Sequence, residues 1–205
     1  MLLSLAIIFL VGLSAAAIFE RIGLPRIIGM LGVGIVTSPY VLGLLDPKIL
    51  GISSELRQIA LIIILIKLKT DSKVSSRLSE KFGKLWIAAE VMLFILVGAA
   101  VDVRYTLSAG GMAVLMIFIA LAFRAVGVCL CLLGTELNAR ERIFCVIAYL
   151  PKATVQAAIG SVPLSLGLPC GKIVLSVAVL AILITAPLGA IGIDRSYMRL
   201  LDAQK

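Results

Sequence analysis

Two cations stand where a membrane gives them little to hold on to. Arg124 lies in LMIFIALAFRAVGVCLCLL and Lys152 in IFCVIAYLPKATVQAAIGSVPL, each close to the middle of an apolar stretch. A charge at that depth costs at least about 2.5–3.5 kcal/mol on insertion scales, and such residues normally face a polar cavity and mark a substrate or ion pathway. A helix-packing ion pair or a carbonyl cap is the plainer alternative. Pro151 sharpens the first reading. Proline removes a backbone donor and clashes with the preceding turn, so the helix should kink or break beside Lys152. Thr154 and Gln156 add polar groups just beyond, while Gly160 and Pro163 predict a short second half-helix. Broken helices at mid-membrane expose carbonyls and helix ends that help to coordinate ions. Acids are scarce on this map. Glu90 lies about one and a half turns into its span, and Asp102 lies at that span's far edge. Two buried cations thus face at most one shallow carboxylate, and an anionic partner is missing from the chain's own inventory.

The elements that must position these groups follow from composition. The chain has 205 residues, 61% hydrophobic and 15% charged, with mean hydropathy +1.18. Soluble domains average about 45–50% apolar and about 25% charged, so a soluble globule and a disordered chain are both excluded. The expectation is an all-α, polytopic membrane protein with about seven transmembrane helices, one of them broken by proline. The spans are read at about 2–19, 27–45, 58–68, 85–101, 109–134, 143–164 and 171–193. A basic stretch occupies 67–84, and tight loops fall at 102–108, 135–142 and 165–170. Residues 2–19 lack a preceding basic residue and read as an uncleaved first helix rather than a secretory signal. The second span carries Gly29, Gly32, Gly34, Pro39 and Gly43, which favours close helix contact or a break.

The net charge of +8 would suggest nucleic acid in a soluble protein; here it reads as topology, and no nucleic-acid partner is expected. With the N-terminus outside, 13 Lys and Arg fall in inside loops: Arg21, Arg26, Lys67, Lys69, Lys73, Arg77, Lys81, Lys84, Arg140, Arg142, Arg195, Arg199 and Lys205. The outside loops hold 4, namely Lys48, Arg57, Arg104 and Lys172. The expected placement is a multi-pass protein of a bacterial inner membrane, N-terminus outside and C-terminus cytoplasmic. The sequence has no His, no Ser or Cys nucleophile beside a base and no metal-ligand cluster, so neither an enzyme nor a cofactor is expected. Cys129, Cys131, Cys145 and Cys170 read as buried small hydrophobes.

The string YLPKATVQAAIGSVPL at 149–164 closely resembles the lysine-bearing crossing helix of cation:proton antiporters, in particular the NHA-type branch of sodium/proton exchangers. LPRIIGMLGVGIVTSP resembles the second helix of that family and ELRQIALIIILI the start of its third. EVMLFILVGAAVDV and FRAVGVCLCLLGTELNARERIF resemble the helices preceding the lysine. The resemblance implies a scaffold or dimer region at 1–66 and the C-terminal half of an antiporter core at 85–205, joined at the basic cytoplasmic loop 67–84. That loop is the apparent junction of a large internal deletion. Lys152 would compete with, or release, the bound proton or ion, and Arg124 would balance the core's charge. Pro151, Thr154 and Gln156 would shape the pathway, and Glu90 is the substitute titrating group. The family's paired aspartates, which bind Na⁺ or Li⁺ in exchange for protons, have no counterpart: no Asp-Asp or Asn-Asp dipeptide occurs. No metal ligands are therefore assigned.

Two functional readings lead at this point, beside a small pore or permease subunit, which steady uncoupled conductance would identify. In the first, the chain exchanges protons for a monovalent cation, with sodium foremost and Li⁺ and K⁺ as further candidates, and serves pH and sodium homeostasis. In the second, it is a non-transporting remnant or a dimerising regulator of a full-length antiporter. Implied partners are the lipid bilayer, protons and cations, and either a second copy or a full-length antiporter.

Overall fold

The computed structural model describes residues 2–68, 73–151 and 153–200. Nine helices follow one another among them, and no strand is present among these residues: α1 (Leu2–Arg21), α2 (Arg26–Thr37), α3 (Pro47–Gly51), α4 (Ser53–Leu68), α5 (Lys73–Ala99), α6 (Val103–Cys131), α7 (Ala139–Tyr149), α8 (Thr154–Ser165) and α9 (Gly171–Leu200). By length and composition, four stretches can cross a membrane: Leu2–Arg21, Gly110–Cys131, Ala139–Ser165 and Gly171–Tyr197. Arg26–Thr37 and Leu85–Ala99 are shorter apolar helices.

Several boundaries differ from expectation. The second span is a 12-residue helix, about 18 Å long at 1.5 Å per residue. The chain then turns through Gly43, whose φ of +62° needs a residue without Cβ. Part of the expected basic loop, residues 69–72, lies outside the described residues. From Lys73 onward the loop is instead the first part of α5, in keeping with the good helix propensity of its Lys, Arg and Glu. The third segment is longer than its apolar run: α4 starts at Ser53 and carries Arg57 inside the helix. Asp102 forms a local cap, its carboxylate accepting from the Arg104 amide at 3.1 Å where α6 begins.

Helix α5 is the centre of the fold. Val91 and every residue from Leu93 to Val97 are fully buried, as expected of a helix apolar all round. Its closest partner is α2. A Cβ at Gly98 would stand 2.5 Å from the Leu31 carbonyl oxygen, and one at Gly34 would run into the Ile95 carbonyl, so the two backbones touch. The pair runs parallel: Gly34 meets Gly98, and the charge of Glu90 reaches Arg26 one end away. Arg26 also donates to both carboxylate oxygens of Glu20, at 2.7 and 2.6 Å, fastening the α1–α2 turn. On the other side of the bundle, α9 packs antiparallel against α7 and α8. Its Gly189 receives the ring of Pro151, with ring carbons 2.5–2.8 Å from where a Cβ would be, and Gly160 of α8 approaches Ala178.

The outer surface is apolar. Met112 and Phe123 on α6 are each 75% exposed, which suits lipid as solvent. Three of the cysteines expected in the core, Cys129, Cys131 and Cys170, are exposed as well, and Cys145 is half-buried. An apolar side chain gains nothing by avoiding hydrocarbon, so the burial rule that holds in water does not place them.

Candidate functional site

The helix expected to break at Pro151 does break. Helix α7 stops at Tyr149, its last turn tightened by the Leu150 amide donating to the Ile147 carbonyl at 3.3 Å. Helix α8 starts at Thr154 with Ala153 as N-cap and no side chain supplying a cap hydrogen bond. A helix C-terminus and an uncapped helix N-terminus therefore face the same gap. Their partial charges, about half an electron each and opposite in sign, are concentrated there. Lys152, assigned to this gap by the sequence, lies outside the described residues.

Beside the gap is a cavity of about 240 Å³. Met116, Leu121 and Arg124 line it from α6, Leu150 from the break, Gln156 from α8, and Ala181 and Thr185 from α9. Arg124 enters this space with its guanidinium carbon 5.1 Å from the centroid of the Tyr149 ring, within range of a cation–π contact. Its Nε and Nη2 are buried and have no hydrogen-bond partner among the described residues. The Thr185 hydroxyl is buried and unpartnered in the same way.

The structure thus brings together Arg124, Gln156 and the Pro151 break. Thr154 sits half-buried at the first position of α8 but does not line the cavity. Glu90 is 9% exposed on α5, held in contacts of its own and within reach of Arg26. It is not among the residues lining this cavity. Sequence reasoning missed two contributors. Tyr149 supplies the aromatic face under Arg124, and Thr185 supplies a hydroxyl from the last helix. The signal for Thr185 was its position two residues before Pro187, a second proline within an apolar helix.

Residues 66–195 match the family described as sodium/hydrogen exchanger, transmembrane. The chain belongs to this family. Sodium/hydrogen exchanger 9B2 of Mus musculus is 39% identical over 142 residues, covering 65% of this chain and 26% of its own. Sodium/hydrogen exchanger 9B2 of Xenopus tropicalis is 36% identical over 126 residues, 57% of this chain and 23% of its own. Sodium/hydrogen exchanger 9B1 of Homo sapiens is 35% identical over 128 residues, 58% of this chain and 25% of its own. The chain therefore spans about a quarter of the length of these curated relatives. No solved structure matches it. Membership places this exchanger-family chain in the NHA branch of the cation:proton antiporters, as a multi-pass membrane protein. The matched stretch contains all of the cavity-lining residues named above.

Proposed function

We propose that this chain supplies part of the ion-translocating core of a monovalent cation:proton antiporter, with sodium as its principal cation and Li⁺ and K⁺ as further candidates. The observation that carries this reading is the Pro151 break opening beside a cavity lined by Arg124, whose Nε and Nη2 have no hydrogen-bond partner among the described residues. A cation in such a place repels a metal ion and a proton alike, and so sets the charge that the site tolerates. In this reading Lys152 is the charge that competes with, or releases, the transported ion. Arg124 fixes the electrostatics, Gln156 and Thr154 offer oxygen ligands, and Glu90 is the nearest thing to a titrating acid in the core. The N-terminus is outside and the C-terminus cytoplasmic in a cell membrane. The 1–66 helices form the scaffold side, and the basic stretch 67–84 links them to the 85–205 core.

The test is cation-induced dissipation of a pH gradient in vesicles containing only this chain, with Na⁺, Li⁺ and K⁺ compared. Saturable coupled flux that disappears in Lys152→Ala supports the reading. Coupled flux unchanged in Lys152→Ala removes that lysine from the mechanism. One feature favours a second reading, a regulator that pairs with a full-length antiporter or a second copy: no adjacent aspartates stand anywhere in the sequence. Folded protein that gives no flux, yet co-purifies with a full-length exchanger, would select it.

A further inference from the structure

Arg57 reads from the sequence as an outside-loop cation, yet it is 4% exposed inside α4. It does not line the Arg124 cavity and lies at the end of the bundle where α4 and α9 begin and α5 and α8 finish. Its Nη1 donates to the Leu96 carbonyl oxygen at 3.2 Å, and its Nε is buried without a hydrogen-bond partner among the described residues. Glu55 is the acid whose charge reaches it, but that carboxylate is exposed, is engaged by the Ser54 hydroxyl at 2.7 Å and does not line the space around Arg57. A buried charge left in this state is costly unless something pairs with it.

Two cavities flank the side chain. One, of about 80 Å³, lies between α4 and α8 and is lined by Arg57, Gln58 and Ser161 among others. The second, of about 300 Å³, lies between α4 and the ends of α5 and α8 and is lined by Arg57, Ser53 and Ser165 among others. Ser53 and Ser54 of the first turn of α4 line the second cavity, so the positive end of that helix borders it, offset in part by the Glu55 carboxylate, which accepts from its own backbone amide. Ser161 and Ser165 donate to the Ala158 and Val162 carbonyls at 2.8 Å each, so they shape the space rather than supply protons to it.

We propose that Arg57 and the N-terminal turn of α4 bind a small inorganic anion, of halide size, at this end of the bundle. The site is independent of the ion pathway proposed above. A charge-assisted bond to the Arg57 guanidinium, a hydroxyl at Ser53 and the helix N-terminus would all favour negative charge. Lys172 stands 6.0 Å above the ring of Tyr40, which lines the second cavity.

The experiment is radiolabelled chloride binding to the purified full chain in detergent. Competition with bromide, gluconate and anionic phospholipid follows, each at constant ionic strength. The expected result is saturable binding displaced by bromide and poorly by the bulkier gluconate. Affinity should fall about tenfold or more in Arg57→Gln and stay unchanged in Arg140→Gln, whose side chain is exposed at the start of α7. If Arg57→Gln does not fold, Ser53→Ala serves instead and should weaken binding measurably. Folded protein with no saturable chloride binding overturns the proposal and leaves Arg57 as a cap on the Leu96 carbonyl. So does binding unaffected by either substitution. Displacement by anionic phospholipid but not by bromide also overturns it, since the site would then hold a headgroup.

Discussion

Replacing Arg124 by methionine should make the protein more stable and, on the proposed mechanism, inactive. Two of the arginine's donor nitrogens are buried without partners among the described residues. An unsatisfied buried donor costs about 1–3 kcal/mol. The cation–π contact with Tyr149, at 5.1 Å, returns about 0.5–2 kcal/mol. Methionine keeps an unbranched apolar stem and removes both donors and the charge. The two donors together cost about 2–6 kcal/mol, so the net expectation is a gain of about 0–5 kcal/mol, centred near 2–3. For a chain of this size the centre of that range corresponds to a rise of roughly 4–12 °C in melting temperature. Intrinsic fluorescence of the single tryptophan, Trp86, during heating in detergent reads the shift. Tyr149→Leu provides the check on cause. It should destabilise the protein that keeps Arg124 and have less effect in the Arg124→Met background, with a coupling of about 0.5–2 kcal/mol. A melting temperature that falls by several degrees in Arg124→Met would refute the reasoning, because the guanidinium would then have to be paired and stabilising. Loss of coupled flux in the stabilised variant would separate the residue's function from its contribution to folding.

Two further outcomes test the scaffold. Gly98→Ala should loosen the α2–α5 contact, since its Cβ would stand 2.5 Å from the Leu31 carbonyl oxygen and backbone cannot rotate aside. A loss of about 1–3 kcal/mol is expected from overpacking, read as a lower melting temperature, and an unchanged one would mean that the two helices are not in backbone contact. Glu141→Ala removes the carboxylate that accepts from the Asn138 amide at 2.8 Å at the start of α7. It should cost about 0.5–1 kcal/mol by loss of that cap, visible in the same melting experiment, while leaving chloride binding at Arg57 untouched.

Much of this molecule is legible in the order of its residues. Its apolar content dictates helices, because hydrocarbon leaves backbone groups no partner but each other. Pro151 dictates a break, because proline has no amide to donate. The string around Lys152 points to the exchanger family without any knowledge of the fold. Packing, in contrast, decides which groups share a space. Arg124, Gln156 and Thr185 are distant in the chain and meet because α6, α8 and α9 pack around one cavity. Gly189 has no local signal as the seat for the Pro151 ring. Glu90 looks like a core acid from its depth alone, but the face it occupies is set by the packing of α5 on α2. Arg57 looks like a loop charge because the apolar run begins after it; the helix begins earlier, at Ser53, and carries it inside. Depth and propensity are local properties of a sequence. Which face of a helix meets which neighbour depends on the close approach of distant backbones, at contacts such as Gly34 with Gly98, and the folded chain alone settles it.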